Sequence, residues 1–191
     1  MQTVSGLFDS YADASAALRG LHAAGIPNAD LSVISGDENA AEPAKPSRLP
    51  STPDGGDREA EAGVVLGGAG GLLAGGGLVV IPGIGPVLAG GWLLADAAGA
   101  INGSIIGALV AGGVPEADAH VYAEGLRRGG TVVSARNEAA QAVETIFEAS
   151  HAVDIATRRA DFERDGWTGF DEAGAPLTTV KRAAATQATG A

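Results

Sequence analysis

The chain has no cysteine, so neither a disulfide framework nor thiolate chemistry enters its reading, and the absence fits a cytoplasmic protein. Basic residues are also few: 12 against 23 acidic ones, a formal net charge of −11, with only Lys45 and Lys181 as lysines. Nucleic acid and anionic lipid headgroups both call for a basic face, so this balance argues against either as an electrostatic partner. The opening MQTVSGLFDS carries Asp9 and no apolar run of signal-peptide length, and a mature cytoplasmic start without a signal peptide is expected.

What the chain has in excess is glycine, and the excess is local. Residues 62–114 hold seventeen of the 30 glycines and one formal charge, Asp96. Around this tract the sequence divides into five pieces. Residues 1–35 read as a first βαβ unit: a strand at 3–8, a helix capped by Asp9 or Ser10 with Ala14, Ala17, Leu18 and Leu21 on one face, and a strand at 30–35. Residues 36–61 contain four prolines, mixed charges and Leu49 as the single large apolar side chain, the composition of a flexible linker. Residues 115–171 read as an αβαβ unit: a helix from Pro115 to Gly129-Gly130, a strand at 131–135, a helix with Val143, Ile146 and Phe147 on one face, a strand at 153–157, and an aromatic motif of Phe162, Trp167 and Phe170. Residues 172–191 form a polar tail expected to be disordered.

Two split βαβ units predict an α+β, ferredoxin-like sandwich with the glycine-rich apolar tract inserted. Its helices are expected on one sheet face, the other being covered by a partner subunit, the tail aromatics or the inserted helix.

The tract reverses at 81–86 (IPGIGP), leaving apolar arms 62–81 and 87–112. Gly63, Gly67, Gly71 and Gly75 recur every fourth residue on the first arm. Gly99, Gly103 and Gly107 do so on the second, with Gly91, Ala95 and Ala111 extending the row. Residues four apart stack on one helix face, so each arm as a helix would carry a groove free of side chains, open to close approach by another helix. A mid-helix glycine costs about 0.8–1.0 kcal/mol relative to alanine in water, whereas in hydrocarbon the helix is nearly compulsory. Twenty residues at 1.5 Å rise span about 30 Å, a bilayer core. Against insertion stand Asp96 inside the second arm, the lack of Lys or Arg between Arg58 and Arg127, and the apolar reversal. The tract is therefore expected to be a helical hairpin that packs against itself or its copies, with the lipid bilayer or a soluble homo-oligomer as its setting. Asp96 and Asn102 are the polar residues expected to be buried in it and to fix its register.

Catalytic and cofactor patterns are missing. A phosphate-binding loop needs Gly-Lys followed by Ser or Thr, and the tract has no lysine; the dinucleotide pattern fails where Leu73 and Val80 stand in place of its last glycine. His22, His120 and His151 fall in three separate helical regions without a second ligand at metal spacing. The Arg127-Arg128-Gly129-Gly130 run is read as a helix terminus rather than an anion site. No catalytic, cofactor-binding or metal residue is assigned, and a non-enzymatic protein is expected.

The blocks VSGLFDSYADASAALRGLHAAGIPNADLSVIS, IPGIGPVLAGG, VPEADAHVYAEGLRRGGTVVSA and GWTGFD, spread over residues 3–35 and 62–171, together resemble the bacterial general stress proteins, a group that includes low-temperature-induced proteins. The resemblance implies a stress-inducible, non-enzymatic protein with a glycine-zipper hairpin. The functional expectation is self-association through that hairpin, in or at the cytoplasmic membrane or in the cytoplasm. A soluble homo-oligomer with a shared hairpin core, or a small-molecule sensor built on the sheet, are the alternatives.

Overall fold

The computed structural model describes residues 2–37, 77–81, 84–92, 104–173 and 177. Within them five strands form one antiparallel sheet: β1 (Gln2–Phe8), β2 (Leu31–Ser35), β3 (Gly77–Ile81), β4 (Gly85–Gly91) and β5 (Thr131–Asn137), in the spatial order β1-β5-β2-β4-β3. The helices are α1 (Tyr11–Ala23), α2 (Ile105–Ala111), α3 (Glu116–Arg127), α4 (Ala140–Ala149) and α5 (Ile155–Arg164). The class is α+β, as the sequence predicts.

Local chemistry accounts for the first unit. Ser10 caps α1, its hydroxyl accepting the Asp13 N–H at 3.1 Å, and Asp13 sits in the first turn, where the helix dipole favours a carboxylate. The face predicted from spacing, Ala14, Ala17, Leu18 and Leu21, is buried throughout. It joins Val143 and Phe147 of α4 over Phe8, Leu31, Val33, Val133 and Ala135 of the sheet. β1 and β2 run in the same direction with β5 between them, Val133 standing opposite both Gly6 and Val33.

Strand side chains alternate, so Leu7, Ile34 and Val132 point to the opposite face. There α2 and α3 supply Ile105, Ala108, Leu109, Ala119, Tyr122, Ala123 and Leu126, and the tail returns Phe170. The second face is covered by two of the expected candidates, the inserted tract through α2 and the tail through Phe170, but the expectation that the other helices share one face is corrected at α3: α1 and α4 cover one side, α2 and α3 the other. The reason was present in β2 and β5, whose apolar residues fall on both parities, the pattern of strands that need cover on both sides. The hydroxyls left inside pair with one another or with the backbone: Ser5 with Ser134 at 2.8 Å, Ser35 with Thr131 at 2.8 Å, and Ser32 donating to the Gly90 carbonyl at 3.0 Å.

The helical hairpin is corrected over its described part. The reversal falls where IPGIGP places it, but it joins β3 to β4, with Ile81 opposite Gly85 and Leu78 opposite Leu88, rather than two helices. β-branched Val79, Val80 and Ile81 favour the extended state, and for a short apolar run that preference, not the period of its glycines, decides between strand and helix. β4 then completes the sheet against β2, with Ile34 opposite Ala89. Farther along the second arm, α2 is helical and capped by Ser104. The strand expected at 153–157 is also corrected. Val153 makes a single bridge, its N–H donating to the Leu7 carbonyl at 2.8 Å, and Asp154 caps α5 by accepting the Thr157 N–H at 2.7 Å. A carboxylate three residues ahead of a free N–H nucleates a helix, so the apolar alternation Val153–Ile155 does not extend as a strand.

The five described helices end alike, in a pair of backbone bonds that turns the chain through a left-handed residue. Glycine fills that position in four of them, as at Gly129 (φ +99°) after α3; α4 instead uses His151 (φ +62°). A side chain in this region costs about 1–2 kcal/mol, and the imidazole of His151, 83% exposed, has only a 3.5 Å approach to Asp13 to set against it. His151→Gly is therefore expected to stabilise the protein by about 0.5–1 kcal/mol, after allowing for the greater freedom of glycine in the unfolded chain, as read from urea denaturation.

Candidate functional site

Of the residues expected to form the helix-packing interface, Gly63, Gly67, Gly71, Gly75, Gly99 and Gly103 lie outside the described residues, as do Asp96 and Asn102. Gly107 is described. It stands exposed on α2, where an added Cβ would meet only the Ser104 Cβ, at 3.8 Å. Ala111, four residues on, is exposed too, and between them Val110 is 41% exposed. Among the described residues no helix is long and apolar enough to cross a membrane.

Gly91, which extends the row, packs against β2, where an added Cβ would meet the Leu31 carbonyl oxygen and the Ser32 Cα; other glycines that bring elements together in the body belong to no row. A Cβ on Gly125 of α3 would lie 2.7 Å from a Leu7 methyl, and one on Gly6 of β1 would lie 2.8 Å from the Phe147 ring. Gly36 is tighter still, against the backbone of Leu126. Each is a lone glycine in an ordinary amphipathic segment, so no row announces it.

His120 accepts the Phe170 N–H at its Nδ1, 3.3 Å away, tying the tail to α3. Among the described residues no group of acidic, histidine or cysteine side chains is arranged to hold a metal ion. Arg128 donates to the buried Glu124 at 2.8 Å, reaches Asp165 at 3.3 Å and lies 4.2 Å over the Phe162 ring. The double arginine thus belongs to a helix terminus packed against α5, consistent with its reading from sequence.

One concavity collects polar groups that the sequence did not single out. β1 is an edge strand, and a groove of about 570 Å³ runs along its open side. Its floor is Val4, Ser5 and Gly6. One wall is Asp118 and Tyr122 of α3, the other Glu144, Phe147 and Glu148 of α4, and the turn from Ala152 to Ala156 closes one end. The Leu7 carbonyl points into this side, toward the Val153 N–H, and the Ser5 carbonyl does the same, accepting the Tyr122 hydroxyl at 2.7 Å. In an antiparallel ladder the residue that turns its carbonyl outward turns its N–H outward as well, so Thr3 and Ser5 turn backbone groups to the open side of β1, those of Ser5 within the groove. Burial pushes the Tyr122 phenol far above its ordinary range, with Asp118 adding to the effect, so it remains the hydrogen donor to Ser5.

The groove's charge is negative. Asp118, Glu144, Glu148 and Asp154 face one cation, Arg159, which is bound to Asp118 at 2.5 Å. The hydrogen bonds that Asp154 accepts from Thr157 hold its carboxyl below the usual range. These residues come from three segments of the chain and the floor from a fourth, so no motif could have revealed them. No protein-family model matches this chain, and neither the curated proteins nor the solved structures contain a significant match.

Proposed function

We propose that this chain is a non-enzymatic bacterial stress-response protein in which an α+β body carries a glycine-rich apolar segment for self-association, in or at the cytoplasmic membrane. The observation that supports it is the outward placement of Gly107 and Ala111 on α2, beside exposed Val110. This end of the small-residue row faces away from the core, where a helix of another copy has access to it. The strand order β1-β5-β2, with α1 joining two parallel strands around a third, supports a ferredoxin-like reading of that body, enlarged by β4 and β3.

The test compares the full chain with a variant in which residues 40–74 are replaced by a short Gly/Ser linker. The full chain is expected to run as a homo-oligomer in light scattering, sensitive to detergent, and to sediment in part with membranes. The shortened variant is expected to keep its thermal transition and lose mass. Gly67→Leu, Gly71→Leu and Gly103→Leu in the full chain are expected to disrupt assembly by blocking backbone approach, whereas Leu72→Val leaves it intact. A full chain that is monomeric without detergent and wholly soluble overturns the reading.

A further inference from the structure

We propose that the groove beside β1 is a docking site for an extended, basic peptide segment of another protein, which would add as a strand to the sheet edge. Three properties of the groove meet in this assignment. The first is the open edge itself. Leu7 is engaged by Val153 and the Ser5 carbonyl by Tyr122, but the outward backbone groups at Thr3 and the Ser5 N–H have no partner in the described residues. An unpaired run of this kind is a template for strand addition, in which main-chain hydrogen bonds hold the peptide and the flanking walls select its side chains.

The second property is shape. The walls rise on both sides of the sheet plane, α3 on one and α4 on the other, so successive side chains of an added strand would go to opposite walls. One set of alternate positions would meet Glu144, Glu148 and the edge of Phe147; the other would meet Tyr122 and the Asp118–Arg159 pair.

The third is charge, and it decides the occupant. Four carboxylates against one arginine leave the lining three charges negative, with Arg159 already committed to Asp118. A second copy of this chain pairing β1 to β1 across a two-fold axis would bring Glu144 and Glu148 toward their own images, a like-charge contact that disfavours the dimer. A peptide with Lys or Arg at the positions facing α4 reverses the sign of that term. Because the glutamates are on the rim, they are expected to act through association rate and salt dependence as much as through final affinity.

The probe is a fluorescein-labelled peptide, acetyl-Lys-Val-Lys-Val-Arg-Val-Lys-amide, titrated with the full chain by anisotropy at low and at physiological salt. Saturable binding is expected, weakened about tenfold or more by the double variant Glu144→Gln/Glu148→Gln, whose exposed sites on α4 leave the core untouched. The main-chain component is read with two N-methylated peptides. Methylation at alternate residues whose N–H faces β1 should abolish binding, while methylation at the intervening residues should leave it within about threefold. An isomer with Glu in place of Lys and Arg should not bind. Failure of the basic peptide to bind, equal binding by the double variant, or indifference to the position of the methyl groups would each overturn the proposal. So would sedimentation showing that the 40–74 replacement variant is a dimer and that Glu144→Gln/Glu148→Gln tightens it, because the edge would then belong to a second copy. None of these readings depends on whether the glycine-rich tract self-associates.

Discussion

Gly36→Ala is expected to destabilise the protein by about 3 kcal/mol or more. Gly36 follows β2 directly, and its N–H donates to the Gly130 carbonyl at 2.9 Å. That bond draws the chain beneath the end of α3. A Cβ built there would lie 1.9 Å from the Leu126 carbonyl oxygen, 2.9 Å from its carbonyl carbon and 3.4 Å from the Gly129 Cα. These are backbone atoms, and the Leu126 oxygen already accepts the Gly129 N–H in the turn that ends α3. Relief requires α3 to lift from the sheet or β2 to give up its last bonds; no rotamer change suffices. The expected loss corresponds to about 6–12 °C in melting temperature for a chain of this size. Gly25→Ala is the control: no atom lies within 4 Å of its added Cβ, and only the left-handed backbone (φ +81°) resists substitution. About 1 kcal/mol is expected there. Equal melting shifts for the two variants would show that contact with Leu126 does not matter.

The contrast between these glycines bears on what could be read without coordinates. Spacing identified the α1 face, the β1 and β2 strands and the position of the β3–β4 turn, because each depends on residues close in sequence. The kind of turn did not follow, since glycines every fourth residue are equally compatible with strands once β-branched Val79, Val80 and Ile81 are given their weight. Val153–Thr157 misled for a related reason: its alternation is real, but Asp154 caps a helix locally before the alternation can pair. The groove was illegible in a different sense. Asp118, Glu144, Glu148, Asp154 and Ser5 acquire a common environment only when β1 lies at the edge with α3 and α4 on either side. No spacing encodes which strand of a sheet is left open. Of the glycines that matter to packing, Gly91 belongs to the row, but Gly6, Gly36 and Gly125 stand singly, and their neighbours come from distant parts of the chain.

Phe162→Ala should cost about 3–5 kcal/mol and free the segment that follows α5. Phe162 is fully buried, its ring face lies 4.2 Å from the Arg128 guanidinium, and the Trp167 ring meets it edge-on at 5.7 Å. Truncation therefore leaves a cavity and removes the surface on which Arg128 lies while it bridges Glu124 of α3 and Asp165 beyond α5. Glu124 is 3% exposed, so loosening Arg128 weakens the compensation of a buried carboxylate as well. The damage should propagate along the chain, because Phe170 is held to His120 and Glu172 to Ser104 only if the turn at Gly166 stays in place. Limited proteolysis is expected to cut beyond Arg164 in the variant far faster than in the parent, at urea concentrations where the sheet is still intact by circular dichroism. Trp167→Phe provides the comparison. The indole Nε1 is buried without a partner among the described residues, so replacing it by a hydrocarbon ring removes an unsatisfied donor and should change stability by less than about 1 kcal/mol in either direction. If Phe162→Ala instead melts with the parent while Trp167→Phe unfolds, the staple is the indole and not the phenyl ring beneath Arg128.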